Sequence, residues 1–213
     1  MTKRRIRLPV APEGWPVVLV PAGAALVLSF AGWRGAGAVL WVAAVACVGF
    51  FRDPERTPPD RPGVVVAPAD GRVMDVQTVH DGVAGEGVRV SIFLSPLDVH
   101  VNRAPIGGLV TEVEHRPGRF LAAYRAEASE ANERCSVRLQ GEAGPVSVRQ
   151  IAGTLARRIV CRVRPGDQLA LGERFGLIRF GSRTDVLMPR GVDVRVRVGD
   201  RVRGGETVIG EFS

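Results

Sequence analysis

Two long uncharged runs near the N-terminus constrain this chain more than any other feature. Residues 17–33 and 35–51 contain no charged side chain, and Arg34 is the only charge between Trp15 and Phe51. At 1.5 Å of rise per residue, each run would span roughly 25 Å as a helix, slightly less than the ~30 Å hydrocarbon core of a bilayer. The runs predict an apolar, membrane-associated hairpin of two short helices with Arg34 at its turn.

Two other interpretations of this segment stay open, namely a single tilted or half-inserted segment and a buried hairpin in a soluble core. A cleaved signal peptide is disfavoured, because the apolar stretch is too long and no clear A-x-A site precedes the polar remainder. Basic residues flank the segment on both sides: Lys3, Arg4, Arg5 and Arg7 before it, and Arg52 and Arg56 after it. The positive-inside rule therefore predicts a cell-membrane protein whose polar part lies on the cytoplasmic face.

A proline-rich stretch separates the apolar segment from the rest of the chain. Residues 53–63 read DPERTPPDRPG, with four prolines, which is typical of a linker. We therefore expect a basic start and apolar hairpin over 1–51, a linker over 52–63 and a folded domain over 64–213.

The folded domain has the pattern of a β protein. Residues 192–198, VDVRVRV, alternate strictly between valine and charged side chains, and only 120–134 looks helical. The other strand candidates are 63–66, 72–79, 89–94, 108–115, 135–139, 146–151, 158–163 and 175–180. Because strands do not alternate with helices, we predict a mainly β fold, a compact double-sheet or barrel-like sandwich.

An internal repeat supports this fold class. Residues 163–173 (VRPGDQLALGE) and 196–206 (VRVGDRVRGGE) both fit V-R-x-G-D-x-x-x-x-G-E, which predicts a quasi-repeated β-hairpin turn. Lipoyl- and biotin-carrier domains use similar turns, but the only lysine of this chain is Lys3. Attachment of a carrier group to a domain lysine is therefore excluded, as is catalysis by a domain lysine that forms a Schiff base.

Composition excludes further classes. Aromatic residues make up only 6% of the chain, which argues against stacking platforms for single-stranded nucleic acid, and we expect no nucleic-acid partner. The three cysteines, Cys47, Cys135 and Cys161, are far apart and form no C-x-x-C pair. A disulfide scaffold and a cysteine-based zinc site are thus disfavoured, no metal is expected, and a reducing compartment is indicated.

Few residues offer catalytic chemistry, and each has a structural explanation as well. His80 and His115 stand beside turn sequences, whereas polar neighbours crowd around His100 in the stretch DVHVNR. Asp70 lies in a PADG turn, where an aspartate usually caps its own backbone. Ser182 follows Gly181 in FGS, which does not fit the G-x-S-x-G nucleophile elbow and alone predicts only a turn.

Taken together, these stretches resemble the phosphatidylserine decarboxylase family. The resemblance covers roughly residues 52–213 and is closest to the short, single-domain branch. Its motifs occur in the family's order: PADG at 68–71, FLSPLDVHVNRAP at 93–105, NER at 132–134, QIAG at 150–153 with ARRIV at 156–160, and FGSRTD at 180–185. Each motif is weak alone, but five in order behind a membrane anchor are specific.

The resemblance implies an inactive proenzyme that cleaves itself between Gly181 and Ser182. The hydroxyl of Ser182 would attack the carbonyl of Gly181, and elimination and hydrolysis would leave a pyruvoyl group derived from Ser182. A non-covalent pair would result, a β chain of residues 1–181 and an α chain of residues 182–213. The amine of phosphatidylserine would form a Schiff base with this cofactor, lose CO2 and leave as phosphatidylethanolamine, so domain 64–213 would be catalytic.

The chain departs from longer members at one position. They carry two histidines after L-S-P, and here the first aligns with His100 while Arg103 takes the second place. His100 and Asp70 remain the candidates for the base of self-cleavage, and Arg103 would bind a phosphate or carboxylate of the substrate. Two alternatives stay open: a decarboxylase of another serine-headed lipid, such as an archaeal ether lipid, and a non-catalytic membrane-anchored β-sandwich that binds anionic lipids.

Overall fold

The structure is a computed structural model of the chain and describes residues 9–81, 85–125, 127–154, 158–179 and 182–213. The chain divides into two compact units, Met1–Glu55 and Arg56–Ser213. The division falls inside the segment 52–63 that the sequence predicts to be a linker. The basic residues 3–7 and Gly181, on which sequence-based predictions rest, lie outside the described residues.

The first unit contains two apolar helices that pack against each other. A single 3-10 turn, Pro12–Gly14, leads into α1 (Trp15–Phe30), and α2 (Arg34–Phe50) follows after Gly32, whose φ of 86° permits the sharp reversal. Small side chains let the helices approach closely, since a Cβ added at Gly37 would lie 2.5 Å from Ser29 Oγ. The helical hairpin is therefore confirmed, although Arg34 begins the second helix.

Many large apolar side chains of α1 and α2 are exposed, although Val18, Phe50 and the adjacent Phe51 are buried. Val20, Val27 and Phe30 are 73%, 66% and 85% exposed. Among the described residues, the continuous stretch Pro12–Phe30 is the one helix long and apolar enough to cross a membrane. A helix in the core of a soluble protein is mostly buried, so this exposure does not fit a buried hairpin.

The regular secondary structure of the second unit is almost entirely β-strand, which confirms the mainly β class. The strands within the described residues are β1 (Val64–Val66), β2 (Gly71–Asp81), β3 (Gly85–Leu94), β4 (Val101–Arg103), β5 (Gly108–Arg116), β6 (Arg134–Gln140), β7 (Pro145–Ile151), β8 (Ile159–Cys161), β9 (Gln168–Leu169), β10 (Arg174–Ile178), β11 (Ser182–Pro189), β12 (Val192–Val194), β13 (Arg201–Val202) and β14 (Val208–Phe212). The expected helix over 120–134 is reduced to α3 (Ala128–Ala131), and the alternating stretch 192–198 is a strand only over its first three residues.

The strands form three antiparallel sheets. The large sheet has the order β13-β2-β3-β11-β7-β6-β5-β9, and the two small sheets have the orders β1-β14-β12 and β4-β10-β8. Apolar side chains from all three sheets, among them Ile92, Leu139, Phe175, Val186 and Ile209, share one buried core. The strand β11 is central to the large sheet, because β3 and β7 pair with its two edges.

The repeat at 163–173 and 196–206 forms two matching turns. The carboxylates of Asp167 and Asp200 accept hydrogen bonds from the amides of Arg164 and Arg197, at 2.9 and 2.8 Å. The following short strands, β9 and β13, occupy the two outer edges of the large sheet. The prediction of a hairpin turn used twice is therefore confirmed.

A second repeat, not predicted from the sequence, completes a quasi-twofold arrangement. Residues 64–73 (VVVAPADGRV) and 101–110 (VNRAPIGGLV) share the pattern V-x-x-A-P-x-x-G-x-V. The two copies exchange hydrogen bonds, from Val66 N–H to the carbonyl of Pro105 and from Arg103 N–H to the carbonyl of Pro68, both 2.8 Å. These crossed bonds tie β1 to β4 and bring the PADG turn and the DVHVNR stretch into one structure.

Candidate active site

Ser182 is the first residue of β11 and lies opposite Leu94 of β3. The side chain is fully buried, and its Oγ has no hydrogen-bond partner among the described residues. Phe180 and Gly181 of the same motif lie outside the described residues. A buried hydroxyl normally finds a partner, so a partnerless serine next to the expected cleavage position is a candidate reactive group.

The residues after Ser182 alternate between two buried faces of the large sheet. Arg183 and Asp185 share one face, where Arg183 Nε donates to Asp185 Oδ1 at 2.6 Å and its Nη2 donates to Ser91 Oγ at 2.7 Å. Thr184 lies on the other face with Ser182, because side chains two apart along a strand point the same way. The buried ion pair explains how a charged sequence forms a central strand and holds Ser182 in place.

A chain of polar side chains crosses from the Ser182 face to the β4-β10-β8 sheet. Gln150 lies directly opposite Thr184, and its Nε2 donates to Asn102 Oδ1 at 2.7 Å. Gly176 makes room for this contact, since a Cβ there would lie 2.7 Å from Gln150 Nε2. Asn102 of β4 therefore faces the same space between the sheets as Ser182.

His100 is fully buried immediately before β4. Its Nδ1 lies 2.9 Å from the carbonyl oxygen of Asp98. Because a carbonyl oxygen only accepts, Nδ1 carries the ring proton of the neutral form, and Nε2 is the basic nitrogen. The carboxylate of Asp98 is used locally, accepting from Ser95 Oγ at 2.7 Å and from Ser95 N–H at 2.8 Å.

The backbone ties His100 and Ser182 to the same part of the fold. Ile178 N–H donates to the carbonyl of His100 at 3.2 Å, and Ser182 pairs with Leu94. These two contacts put the ends of the segment 94–100 beside Ser182 and Ile178. His100 precedes Asn102 by two residues, and the side chain of Asn102 contacts Gln150.

Asp70 stands in a different set of contacts. Its Oδ2 pairs with Arg56 at 2.8 Å, and its Oδ1 accepts from Gly204 N–H at 2.8 Å. Arg56 also pairs with Glu206 at 3.0 Å. The carboxylate thus links the PADG turn to the second copy of the hairpin repeat, and a role in orienting His100 stays a prediction.

Arg103 points to the opposite side of β4 from Asn102. Its Nη1 donates to the carbonyl of Gly172 at 3.1 Å, and a Cβ at Gly205 would lie 2.9 Å from its Cδ. The side chain is only 3% exposed. Arg103 therefore contacts both matching glycine turns of the hairpin repeat, at Gly172 and Gly205, and Asp70 contacts the second turn at Gly204. Substrate binding by Arg103 stays a prediction.

The other two histidines are surface residues. His80 and His115 have side chains 78% and 54% exposed, and their Nε2 atoms lie 3.2 Å from Glu86 and Glu133. Both lie near the ends of the strands β2 and β5, where the sequence predicts turns. Their exposure sets them apart from the buried His100.

Asn132 of the NER motif is a residue whose role the sequence did not reveal. Its side chain accepts from Leu121 N–H at 2.9 Å and donates at 2.8 Å to the carbonyls of both Leu121 and Ala152. Ala152 belongs to the QIAG motif and follows β7, the strand beside Ser182. These motifs therefore meet in space and fix the loop around residue 121 against the site.

Comparison with known proteins agrees with this arrangement. The model of the phosphatidylserine decarboxylase family matches residues 44–210. The phosphatidylserine decarboxylase proenzyme of Rhodococcus jostii is 51% identical over 96% of this chain and 88% of its own length. The proenzyme of the same name from Mycobacterium avium is 51% identical, with 96% and 87% covered, and that from Burkholderia multivorans is 43% identical, with 95% and 96% covered.

The fold, the buried site and these relatives define an enzyme of phospholipid metabolism, a carboxy-lyase. The chain belongs to the phosphatidylserine decarboxylase family. The relatives are named proenzymes, a term for a precursor that is processed into the mature enzyme. The decarboxylase activity implies a phospholipid substrate.

Proposed function

We propose that this chain is the proenzyme of a pyruvoyl-dependent enzyme that converts phosphatidylserine into phosphatidylethanolamine and CO2. The observation that carries the proposal is the fully buried Oγ of Ser182, which has no hydrogen-bond partner among the described residues. A structural serine in this place would be expected to bond a neighbour.

Self-cleavage at Gly181-Ser182 would proceed in three steps: an acyl shift, an elimination and a hydrolysis. Ser182 Oγ forms a bond to the carbonyl carbon of Gly181, the bond from that carbon to the nitrogen of Ser182 breaks, and the hydroxyl proton ends on the released nitrogen. The resulting ester loses its Cα proton and expels the carboxylate of Gly181. Hydrolysis of the new N-terminus consumes water, releases ammonia and leaves the pyruvoyl group.

His100 is the residue that we assign to the proton transfers. Its Nε2 is the basic nitrogen of the neutral ring, because Nδ1 is committed to Asp98. Histidine is the side chain whose ordinary pKa suits proton exchange near neutral pH. Full burial of the ring supports a role inside the fold, although the choice between His100 and Asp70 as the first base awaits experiment.

The residues around Ser182 suit the group that would form there. A pyruvoyl group supplies a carbonyl that takes the substrate amine and withdraws electrons as CO2 departs. Leu94 and Ala152, both fully buried, border this position and keep water away. Because Lys3 is the only lysine of the chain, the domain contains no lysine side chain to compete with the substrate amine.

The arrangement of strands supports a stable pair of chains after cleavage. The proposed α chain, 182–213, contains β11 to β14, and β11 is paired on both edges by strands of the proposed β chain. The strands β13 and β14 pair with β2 and β1 of that same chain. Separation would break all these pairings, so we expect a non-covalent heterodimer.

We further propose attachment to the cytoplasmic face of the cell membrane. The exposed apolar side chains of α1 and α2 suit a lipid environment, and basic residues precede the first helix in the sequence. A phospholipid substrate resides in that membrane. Whether the hairpin crosses or only enters the bilayer does not alter the proposed chemistry.

The substitution Ser182→Ala tests the proposed function. It should leave an uncut chain that releases no CO2 from phosphatidylserine carrying a labelled serine carboxyl group. Thr78→Ala, a change at an exposed position of β2, is the matched control and should cleave and release CO2 normally. A cleaved or active Ser182→Ala protein would contradict the proposal, and an uncut native chain would favour a non-catalytic lipid-binding role.

A further inference from the structure

Cys135 and Cys161 are far apart in the sequence but adjacent in the second unit. Cys135 of β6 lies directly opposite Gln150 of β7, so both side chains point to the same face of the large sheet. On that face, Gln150 Nε2 donates to the carbonyl of Val160 at 3.4 Å, and Cys161 is the next residue of β8. The thiols of the two cysteines share a hydrogen bond. The fold therefore pairs a thiol of the large sheet with a thiol of the β4-β10-β8 sheet.

The two thiols differ in exposure and in how readily they ionise. Cys135 is only 2% exposed, whereas Cys161 is half-buried and can be reached by small molecules. The hydrogen bond with Cys135 is the main cause that lowers the pKa of Cys161 to about 7, and the nearby His115 lowers it further. His115 lies opposite Cys135 on β5 and pairs with Glu133. An accessible thiolate beside a second, buried thiol is the arrangement that oxidants convert into a disulfide.

We propose that Cys161 and Cys135 form a reversible disulfide when the protein meets a peroxide, with Cys161 as the residue oxidised first. Both thiols are free in the structure, so the bond is a response to oxidation and no permanent part of the fold. Disulfides of proteins in reducing compartments are usually transient bonds of this kind. The inference is independent of the proposed self-cleavage, because both cysteines precede Gly181 in the chain.

The oxidation proceeds in two balanced steps. The thiolate of Cys161 attacks one oxygen of hydrogen peroxide, the O–O bond breaks, and a sulfenic acid and a hydroxide ion result. The sulfur of Cys135 then attacks the sulfur of the sulfenic acid, and the S–O bond breaks. The hydroxide ions leave as water with the two protons that the thiols have lost. In sum, two thiols give up two electrons and two protons, and one peroxide becomes two water molecules.

The first step prepares the second. In the reduced pair, the hydrogen bond with Cys161, burial and the charge of the Cys161 thiolate all raise the pKa of Cys135. Oxidation of Cys161 removes that charge, so Cys135 ionises more easily once its partner is a sulfenic acid. The resulting bond joins β6 to β8 and closes a loop of chain that includes β7. Because a cross-link restricts the unfolded chain, the oxidised domain should resist unfolding better than the reduced one.

Peptide mapping of the full-length protein in detergent tests the pair. Trypsin should release CSVR, residues 135–138, and IVCR, residues 159–162, because an arginine precedes and ends each peptide. After treatment with hydrogen peroxide and alkylation of the remaining thiols, we expect one linked species, two hydrogens lighter than the two peptides together. Dithiothreitol should return the separate peptides. Both cysteines lie in 1–181, so the result does not depend on whether the chain cleaves itself.

Matched serine variants separate the roles of the three cysteines. Cys161→Ser should leave Cys135 a thiol under the same treatment, because the residue that reacts first is gone. Cys135→Ser should stop at a sulfenic acid on Cys161, which dimedone traps. Cys47→Ser retains the pair and should form the linked species as fast as the native protein. The urea midpoint of the native protein should rise on oxidation, and that of Cys161→Ser should not.

Three results would overturn the proposal. The first is the absence of the linked peptide from peroxide-treated native protein that circular dichroism shows to be folded. The second is a linked peptide that forms equally fast in urea-unfolded protein, since the fold would then not bring the thiols together. The third is a link from Cys161 to Cys47 or to another chain. An uncut native chain that forms the linked peptide would contradict the proposed function and support the disulfide.

Discussion

At the residue scale, the state of His100 follows from a single contact. The carbonyl of Asp98 requires a donor, so the ring proton of the neutral form sits on Nδ1, and Nε2 is the basic nitrogen. This state of the ring is the one required by the proposed role of His100 in the proton transfers of self-cleavage and decarboxylation.

We predict that His100→Ala slows both self-cleavage and turnover by at least about 100-fold, the low end for loss of a general acid–base. His80→Ala and His115→Ala should be nearly silent, because those rings are exposed and pair with Glu86 and Glu133 rather than with the proposed site. A time course of chain cleavage, followed by CO2 release from the material that matures, measures both effects. Normal rates in His100→Ala would move the base elsewhere, with Asp70 as the first alternative.

Cys161 is a second residue whose chemistry is set by its neighbours. A hydrogen bond with the Cys135 thiol is the main cause that lowers the pKa of Cys161 to about 7. The same interaction, together with burial, raises the pKa of Cys135 above its ordinary value. The thiolate is the nucleophilic form of cysteine, and about half of Cys161 should be thiolate at about pH 7. The rate at which Cys161 reacts should therefore fall below that pH.

The rate of alkylation by iodoacetamide across pH 5–9 measures this pKa directly, with mass spectrometry to identify the labelled site. Cys135→Ala removes the hydrogen bond and should move the pKa of Cys161 upward. Cys47→Ala should change nothing at Cys161. An unchanged profile in Cys135→Ala would show that the two thiols do not interact.

At the scale of elements, β11 shows what the sequence can and cannot predict. The motif FGSRTD identifies Ser182, but Arg183 and Asp185 make the stretch look too charged for a central strand, so it was not among the predicted strands. Their mutual ion pair is buried and satisfied, which makes the strand possible. The contact of Gln150 with Asn102 was equally unpredictable, because no local period relates residues 48 positions apart.

Local patterns predict most of the other elements, but not the strands β4 and β14. The uncharged runs predicted the two helices, and the G-D turns of the repeat predicted the matching hairpins. The stretch 192–198 predicted too long a strand, since only Val192–Val194 pair with β14 and the chain then turns. Alternation alone does not report where a pairing partner ends.

The contact between the PADG turn and the second hairpin repeat is an element-scale feature with a measurable strength. Asp70→Asn should lower the free energy of unfolding by about 2 kcal/mol, the range for losing hydrogen bonds to a charged group. Arg56 and Asp70 are only 11% and 16% exposed, so water compensates little for the loss. We also expect slower cleavage, because the repeat belongs to the strands that follow Ser182.

Urea unfolding of the uncut Ser182→Ala background measures this difference without interference from processing. Glu206→Gln is the matched control and should cost less, because Glu206 is 30% exposed and Arg56 keeps its bond to Asp70. Equal stability of Asp70→Asn and its background would mean that the turn is held by other contacts.

At the scale of the whole molecule, a quasi-twofold β unit follows an apolar helical hairpin along the chain. The two interlocked copies, 64–73 and 101–110, build a core that needs no contribution from residues 1–55. Ser182, the proposed reactive serine, lies in that unit. The chemistry and the proposed membrane attachment should therefore be separable.

We predict that a chain lacking residues 1–51 folds, cleaves itself and remains in solution. It should bind vesicles of anionic lipid weakly through arginines, and binding should fall as salt rises, because screening weakens surface attraction. Sedimentation with vesicles at low and high salt measures this. A truncated protein that stays on membranes at high salt would contradict the separation of the two parts.

The most direct test of the account is the intact mass of the purified native protein under denaturing conditions. We predict two chains, a large one of residues 1–181 and a small one from the 32 residues 182–213, whose N-terminus is a pyruvoyl group and resists Edman degradation. Mild reduction with borohydride in the presence of an amine should add that amine to the small chain. A single mass for the uncut chain of 213 residues, in protein that releases CO2 from phosphatidylserine, would contradict the account.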